Sequence, residues 1–207
     1  DARFRLASSQ TPKPLRELLE NSGKRSNAKH LVKMLPLSRR DKERALEGFV
    51  TPNRWESVDD VLSSSKCEEI IEWARPLHSK ELDSVDGAPE FQTTIPLRSE
   101  EALPSLASLF PGQYQLSAFV RCYSVESRPR LPFHVDSIRC ERSASVNLSR
   151  DESYEGGALL LFADETIVEG SRRQGTATVH AAKLAHGISD VVSGERWSLV
   201  IFQYYNV

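Results

Sequence analysis

The sequence predicts an α+β fold in which helices precede a β-rich half folded as a jelly-roll-like barrel. Three observations predict it. A chain of 207 residues is long enough for one domain with a sizeable core. Its first part repeats apolar residues at helical spacing. From Tyr114 onward the pattern becomes many short β-rich runs separated by turns, the signature of a sandwich or barrel.

The helical part covers residues 1–54. Leu15, Leu18 and Leu19 mark one helix between Pro14 and Glu20; Ala28 to Leu35 and Ser38 to Phe49 follow, with Ser38 as the cap of the last. Residues 55–112 mix elements. A helix is expected from Ser65 through Cys67, Ile70, Ile71 and Trp73, with Glu68 completing a capping box. Phe91 to Leu97 reads as a strand and Glu100 to Leu109 as a helix stopped by Pro111-Gly112. Strands are then expected at 114–124, 143–149, 158–163, 166–169, 176–181, 187–192 and 196–205. In the last of these Arg196, Ser198, Val200 and Phe202 share one face, and Trp197, Leu199 and Ile201 share the other. Both faces are therefore covered, and the upstream helices are the natural cover for one of them. The domain reading is a helical, basic extension over 1–54 and a catalytic domain over 55–207, its barrel at about 114–207.

Composition excludes several classes. With 39% hydrophobic and 27% charged residues the chain is an ordinary globular protein. It has no apolar run long enough to cross a bilayer and no secretory signal at its start, so no membrane partner is expected. Cys67, Cys122 and Cys140 form no CxxC pair and read as free thiols of an intracellular, cytoplasmic protein. The chain opens on Asp1, as a processed or trimmed product would. Net charge is −2, yet residues 1–54 hold thirteen Lys/Arg against six Asp/Glu. That surface is a solvated helical face or a contact for an acidic partner or nucleic acid; no aromatic residues interleave with the charges to stack bases.

The chemistry lies in His134-Val135-Asp136. On an extended segment residues i and i+2 point the same way, so this imidazole and carboxylate can grip one ion, and His186, fifty residues on, is the candidate third ligand. Two histidines and one carboxylate on one face of an octahedron leave positions open for co-substrate and O2, which suits Fe(II). A structural zinc site would fill its sphere with protein ligands. The HxD pair alone is weak, but Arg196 stands ten residues after His186, beyond a Ser193-Gly194 turn. A guanidinium facing into the barrel needs a partner, and a carboxylate ligand held bidentately supplies one. Ser198, on the same face, can donate to it as well. His180 is read as packed in the barrel or lining the site, and His30 and His78 as surface residues.

With HxD, Glu155-Gly156-Gly157-Ala158-Leu159-Leu160-Leu161-Phe162, Val179 to Gly187, and Ser193-Gly194-Glu195-Arg196-Trp197, the chain resembles the prolyl/lysyl hydroxylase branch of the Fe(II)/2-oxoglutarate oxygenases. The resemblance covers about residues 114–207, and Cys67 to Trp73 is loosely similar to the family's supporting helix. It implies a double-stranded β-helix barrel of the cupin type, with Fe(II), 2-oxoglutarate and O2 as cofactors and ascorbate in support. It implies His134, Asp136 and His186 as iron ligands and Arg196 as partner of the distal 2-oxoglutarate carboxylate. Tyr123 stands where relatives carry a tyrosine that contacts the co-substrate, and packing is its other reading. Asn147 occupies a strand position from which relatives reach the co-substrate, and Leu159 would pack on its methylenes. Arg196 replaces the lysine of collagen-type prolyl hydroxylases.

The implied activity is hydroxylation of a C–H bond in a protein side chain or amino acid, releasing succinate and CO2. The other readings are an oxygenase acting on a small molecule or nucleic acid, and a non-catalytic β-helix that binds metal. Asp136 speaks against a halogenase, in which loss of the carboxylate makes room for halide.

Overall fold

The computed structural model describes residues 32–33, 35, 37–50, 54–77, 92–95, 106, 108–110, 115–126, 130–163 and 166–204. The expected helix at 14–20, most of those at 28–35 and 100–109, and both His30 and His78 lie outside these residues. The helices described are α1 (Arg39–Val50) and α2 (Ser64–Ala74). The strands are β1 (Trp55–Val58), β2 (Gln92–Ile95), β3 (Gln115–Ser124), β4 (Leu131–His134), β5 (Cys140–Asn147) and β6 (Tyr154–Gly156). They continue as β7 (Leu159–Ala163), β8 (Thr166–Glu169), β9 (Ala177–Ala181), β10 (His186–Ile188) and β11 (Val191–Tyr204).

The strands make two antiparallel sheets rather than one closed cylinder. The larger runs β1-β9-β5-β11-β3-β2, with β6 added to the start of β11, and the smaller runs β4-β10-β7-β8. Each sheet carries a helix on its outer face. Cys67, Ile70 and Ala74 of α2 pack with Val120, Val146, Val179, Trp197, Leu199 and Ile201 of the larger sheet. Ala45 of α1 packs with Phe133, Leu160, Phe162 and Ala185 of the smaller one. The even positions of β11 (Arg196, Ser198, Val200, Phe202) line the space between the sheets, as the alternation predicts.

Several local expectations are corrected. The cap of α2 is Ser63, whose hydroxyl accepts from the Lys66 N–H at 3.2 Å. Ser65 is therefore inside the helix, and Glu68 is not its capping-box partner; that carboxylate instead accepts from Arg150 of the loop after β5. At α1, Ser38 does cap, accepting from the Asp41 N–H at 3.1 Å. Ser193-Gly194 is not a turn between strands. β11 runs unbroken through it: the register against β6 shifts between Val191 and Ser193, and Gly194, at φ +72, pairs with Tyr154 before the strand passes on to β3 and β5. A Cβ there would lie 2.2 Å from the Ser153 carbonyl oxygen, so both backbone conformation and space require glycine.

β1, β4 and β6 were not anticipated. β4 contains Pro132, which argues against a strand in sequence, and β6 is only three residues long. The three cysteines are free and buried. Burial pushes the Cys122 thiol up to about 12 and those of Cys67 and Cys140 to about 11, so all three remain protonated and serve as small apolar residues. Among the described residues no helix is long and apolar enough to cross a membrane.

Candidate metal centre

His134 ends β4 and His186 begins β10, and the two pair directly across the smaller sheet. Asp136 follows two residues after His134 and is buried. The donor atoms of His134, Asp136 and His186 all lie within 4.8 Å of one another. Asp136 Oδ1 is 3.8 Å from His134 Nε2 and 3.7 Å from His186 Nε2.

The tautomers follow from the backbone. His134 Nδ1 is 3.0 Å from the Pro132 carbonyl oxygen and His186 Nδ1 is 2.9 Å from that of Leu184. A carbonyl only accepts, so each Nδ1 carries the proton and each Nε2 presents a lone pair toward Asp136. Burial lowers the proton affinity of both rings, with the Arg121 charge adding to it. For His186 the value falls to about 4, so the ring is neutral at physiological pH. Burial opposes the Asp136 charge, but in the acid range where the carboxyl would titrate the rings take up protons, and their positive charge, with the hydroxyl of Ser143 donating to Oδ2, outweighs burial and holds the carboxyl below its usual range. The result is a carboxylate oxygen and two imidazole lone pairs facing one another with no proton between them. Such an acceptor-only cluster is repulsive until a cation joins it, and its ligand types suit Fe(II).

These groups sit in a cavity of about 400 Å³, its open mouth included, between the two sheets. Arg196 lines it and is 3% exposed, with Nη1 buried and without a hydrogen-bond partner; the Ser198 hydroxyl, two residues along the same face, is orphaned in the same way. A guanidinium N–H and a hydroxyl side by side suit a carboxylate ligand. The arginine stem is cradled by Gly157, where a Cβ would come within 3.1 Å of Arg196 Cδ. Gly157 itself has φ +61, so the Gly-Gly pair ahead of β7 is a place where backbone must pass close to the Arg196 side chain.

Tyr123 pairs with Arg196 across β3 and β11, and the guanidinium lies 5.6 Å from its ring centroid. Tyr123 also packs with Leu131, Leu159 and Ile188, and all of them line the cavity. Tyr123 thus packs in the wall of the cavity, as its packing reading has it. Leu159 is on the same wall. Asn147 is placed differently: it pairs with Ser198 but is not among the lining residues, because its amide nitrogen donates to the carbonyls of Ser149 (2.8 Å) and Arg172. Its amide oxygen accepts from the Tyr154 hydroxyl at 3.4 Å.

Sequence reasoning left Arg121 and Ser143 unassigned, although both line the cavity. Arg121 is buried on β3, its guanidinium 4.5 Å from the Phe119 ring centroid; the period of two from Tyr123 would have put it on the cavity face. Ser143 shares parity with Asn147 on β5 and was detectable in the same way. Phe202 was assigned to the inner face, but its ring contact with Phe119 (5.3 Å between centroids) joins residues far apart in sequence. His180, left open between lining and packing, does line the cavity, with its ring 4.2 Å from that of His186.

No protein-family profile matches the chain. It is 28% identical over 169 residues to the mouse (Mus musculus) protein "2-oxoglutarate and iron-dependent oxygenase domain-containing protein 2", a match covering 69% of this chain and 47% of that protein. In sequence the chain is thus similar to a 2-oxoglutarate- and iron-dependent oxygenase domain protein. It spans about half the length of that curated relative. The same architecture occurs in a prolyl-4-hydroxylase of Pseudomonas putida, at 18% identity and a TM-score of 0.61, covering 75% of this chain and 95% of that one. It occurs again in a Trichoplax adhaerens prolyl hydroxylase solved with a hypoxia inducible factor peptide, at 12% identity and a TM-score of 0.58, covering 95% and 94%. At these identities the likeness to the hydroxylases is one of fold, the double-stranded β-helix.

Proposed function

We propose that this chain is an Fe(II)- and 2-oxoglutarate-dependent hydroxylase acting on a C–H bond of a protein side chain or amino acid. The observation that carries the reading is the acceptor-only cluster of His134, Asp136 and His186 in one cavity with the orphaned guanidinium of Arg196. A metal-binding module without turnover has use for the first and none for the second.

In this reading His134, Asp136 and His186 hold the iron, and Arg196 with Ser198 takes the distal carboxylate of 2-oxoglutarate. Bound together, iron and 2-oxoglutarate supply the oxidising chemistry: O2 is split, succinate and CO2 leave, and one oxygen atom enters the substrate C–H bond. The chain's own residues do the positioning. The carbonyls of Pro132 and Leu184 keep the imidazole lone pairs aimed inward, and the Ser143 hydroxyl fixes Asp136 so that Oδ1 faces them. Tyr123, Leu131, Leu159 and Ile188 form an apolar wall that excludes water from the co-substrate's methylenes. Asn147 braces the strand ends beside Ser198 and makes no co-substrate contact.

The test is succinate formation from 2-oxoglutarate by the purified chain, with and without Fe(II), followed by mass spectrometry of peptides and amino acids for one added oxygen atom. Iron-dependent succinate absent from a His134→Ala variant is the expected result. Full turnover by that variant removes the ligand assignment, and metal binding without any succinate favours the non-catalytic reading.

A further inference from the structure

Helix α1 does more than cover the smaller sheet. Its Arg44, only partly exposed, donates from Nη1 to the backbone carbonyl of Asp136 at 2.9 Å, across 92 residues of sequence. The Asp136 N–H donates in turn to the carbonyl of Ala182 at 2.9 Å. Both backbone polar groups of this residue are thus tied, one to the helix and one to the turn between β9 and β10. That turn is itself pressed on α1. A Cβ on Gly48 would lie 2.7 Å from the Lys183 carbonyl oxygen and 3.1 Å from Leu184 Cα, so helix and turn meet backbone to backbone. The Lys183 ammonium pairs with Glu47 on the same helix. The circuit closes at Leu184, whose carbonyl accepts from His186 Nδ1.

We propose that α1 is a clamp on the metal centre, in which Arg44 positions Asp136 and the Glu47–Gly48 contact positions the turn that orients His186. The proposal rests on the reading of these residues as metal ligands. Burial of Ala45 against the smaller sheet accounts for the presence of a helix here. It does not account for a guanidinium that, besides an ion pair with Asp41 at 3.6 Å on its own helix, donates to the carbonyl of one particular residue, or for backbone contact with the turn that leads to another.

Mn(II) binding by electron paramagnetic resonance and the visible spectrum of Co(II) are measured on the full chain carrying Arg44→Gln, Arg44→Lys or, as control, Arg39→Gln. Arg39 is on the same helix with its side chain 95% exposed. Arg44→Gln is expected to weaken Mn(II) about tenfold, as losing a group that supports a ligand typically does, and to shift the Co(II) spectrum. Lysine restores most of both, and the control changes neither. Amide hydrogen exchange of the metal-free protein gives a second readout: residues 133–139 exchange faster in Arg44→Gln, while β11 does not. Unchanged exchange at 133–139, unchanged Mn(II) affinity, or equal acceleration throughout the protein overturns the clamp. If wild type binds neither ion, the metal reading falls, and the exchange result still decides whether Arg44 holds the Asp136 segment.

Discussion

Arg196 and Gly157 act as one unit. The guanidinium is buried with an unpaired N–H, and its stem passes where a side chain on Gly157 would be. Arg196→Leu should therefore raise the dissociation constant for 2-oxoglutarate by about 10- to 100-fold, the worth of hydrogen bonds to a charged group. Isothermal titration with Mn(II) in place of iron measures this, and unchanged affinity would remove Arg196 as the anchor. Gly157→Ala should cost about 1–2 kcal/mol of stability, because it adds a contact at 3.1 Å on a residue at φ +61. It should weaken 2-oxoglutarate as well; a denaturant series and the same titration check the pair. Asn147 teaches the opposite lesson. A buried amide needs a partner, but carbonyls of neighbouring loops meet that need, and no periodicity reveals where those loops return.

Elements were legible where their pattern was strong. β11 alternates so regularly that its cavity face and its core face could be assigned from sequence, and α1 begins at the expected serine. Caps and breaks were less legible, because candidates stand close together. Ser63 and Ser65 both precede the apolar run of α2, and only the position of the Lys66 N–H decides between them. Ser63→Ala is accordingly expected to cost about 1 kcal/mol, the usual worth of an N-cap, and Ser65→Ala clearly less; urea unfolding midpoints distinguish them. Equal losses would mean that the cap is shared. The short strands β1, β4 and β6 have too few residues to show a period, and each exists because a partner strand is in place to receive it.

At the scale of the whole molecule, the buried imidazoles couple folding to pH. Burial holds His180 and His186 down at about 4, against 6.5 when exposed. Between those values the unfolded chain binds protons that the folded chain refuses. Stability of the metal-free protein is therefore full above about pH 6.5 and declines as pH falls toward 4, by about 3 kcal/mol for each ring. Asp136, also held below its usual range, extends the loss in the same direction. Urea midpoints at pH 7 and pH 5 test this, and His180→Phe should reduce the difference; a midpoint independent of pH would contradict it. A metal ion bound to the folded state alone adds about 2.7 kcal/mol at a hundred times its dissociation constant. Mn(II) should thus raise the midpoint of wild type and leave that of His134→Ala unmoved.

Helices ahead of a β-rich half, the two faces of β11 and the triad candidates with their arginine were readable from the chain alone. Each rests on a period or a spacing that survives whatever the rest of the molecule does. The tertiary structure alone decided that α1 reaches Asp136 and that the imidazole lone pairs converge on one carboxylate oxygen. Those facts depend on loops and sheets far apart in sequence meeting at a few ångströms, and hydrophobic pattern specifies burial without specifying which backbone carbonyl a buried donor will find.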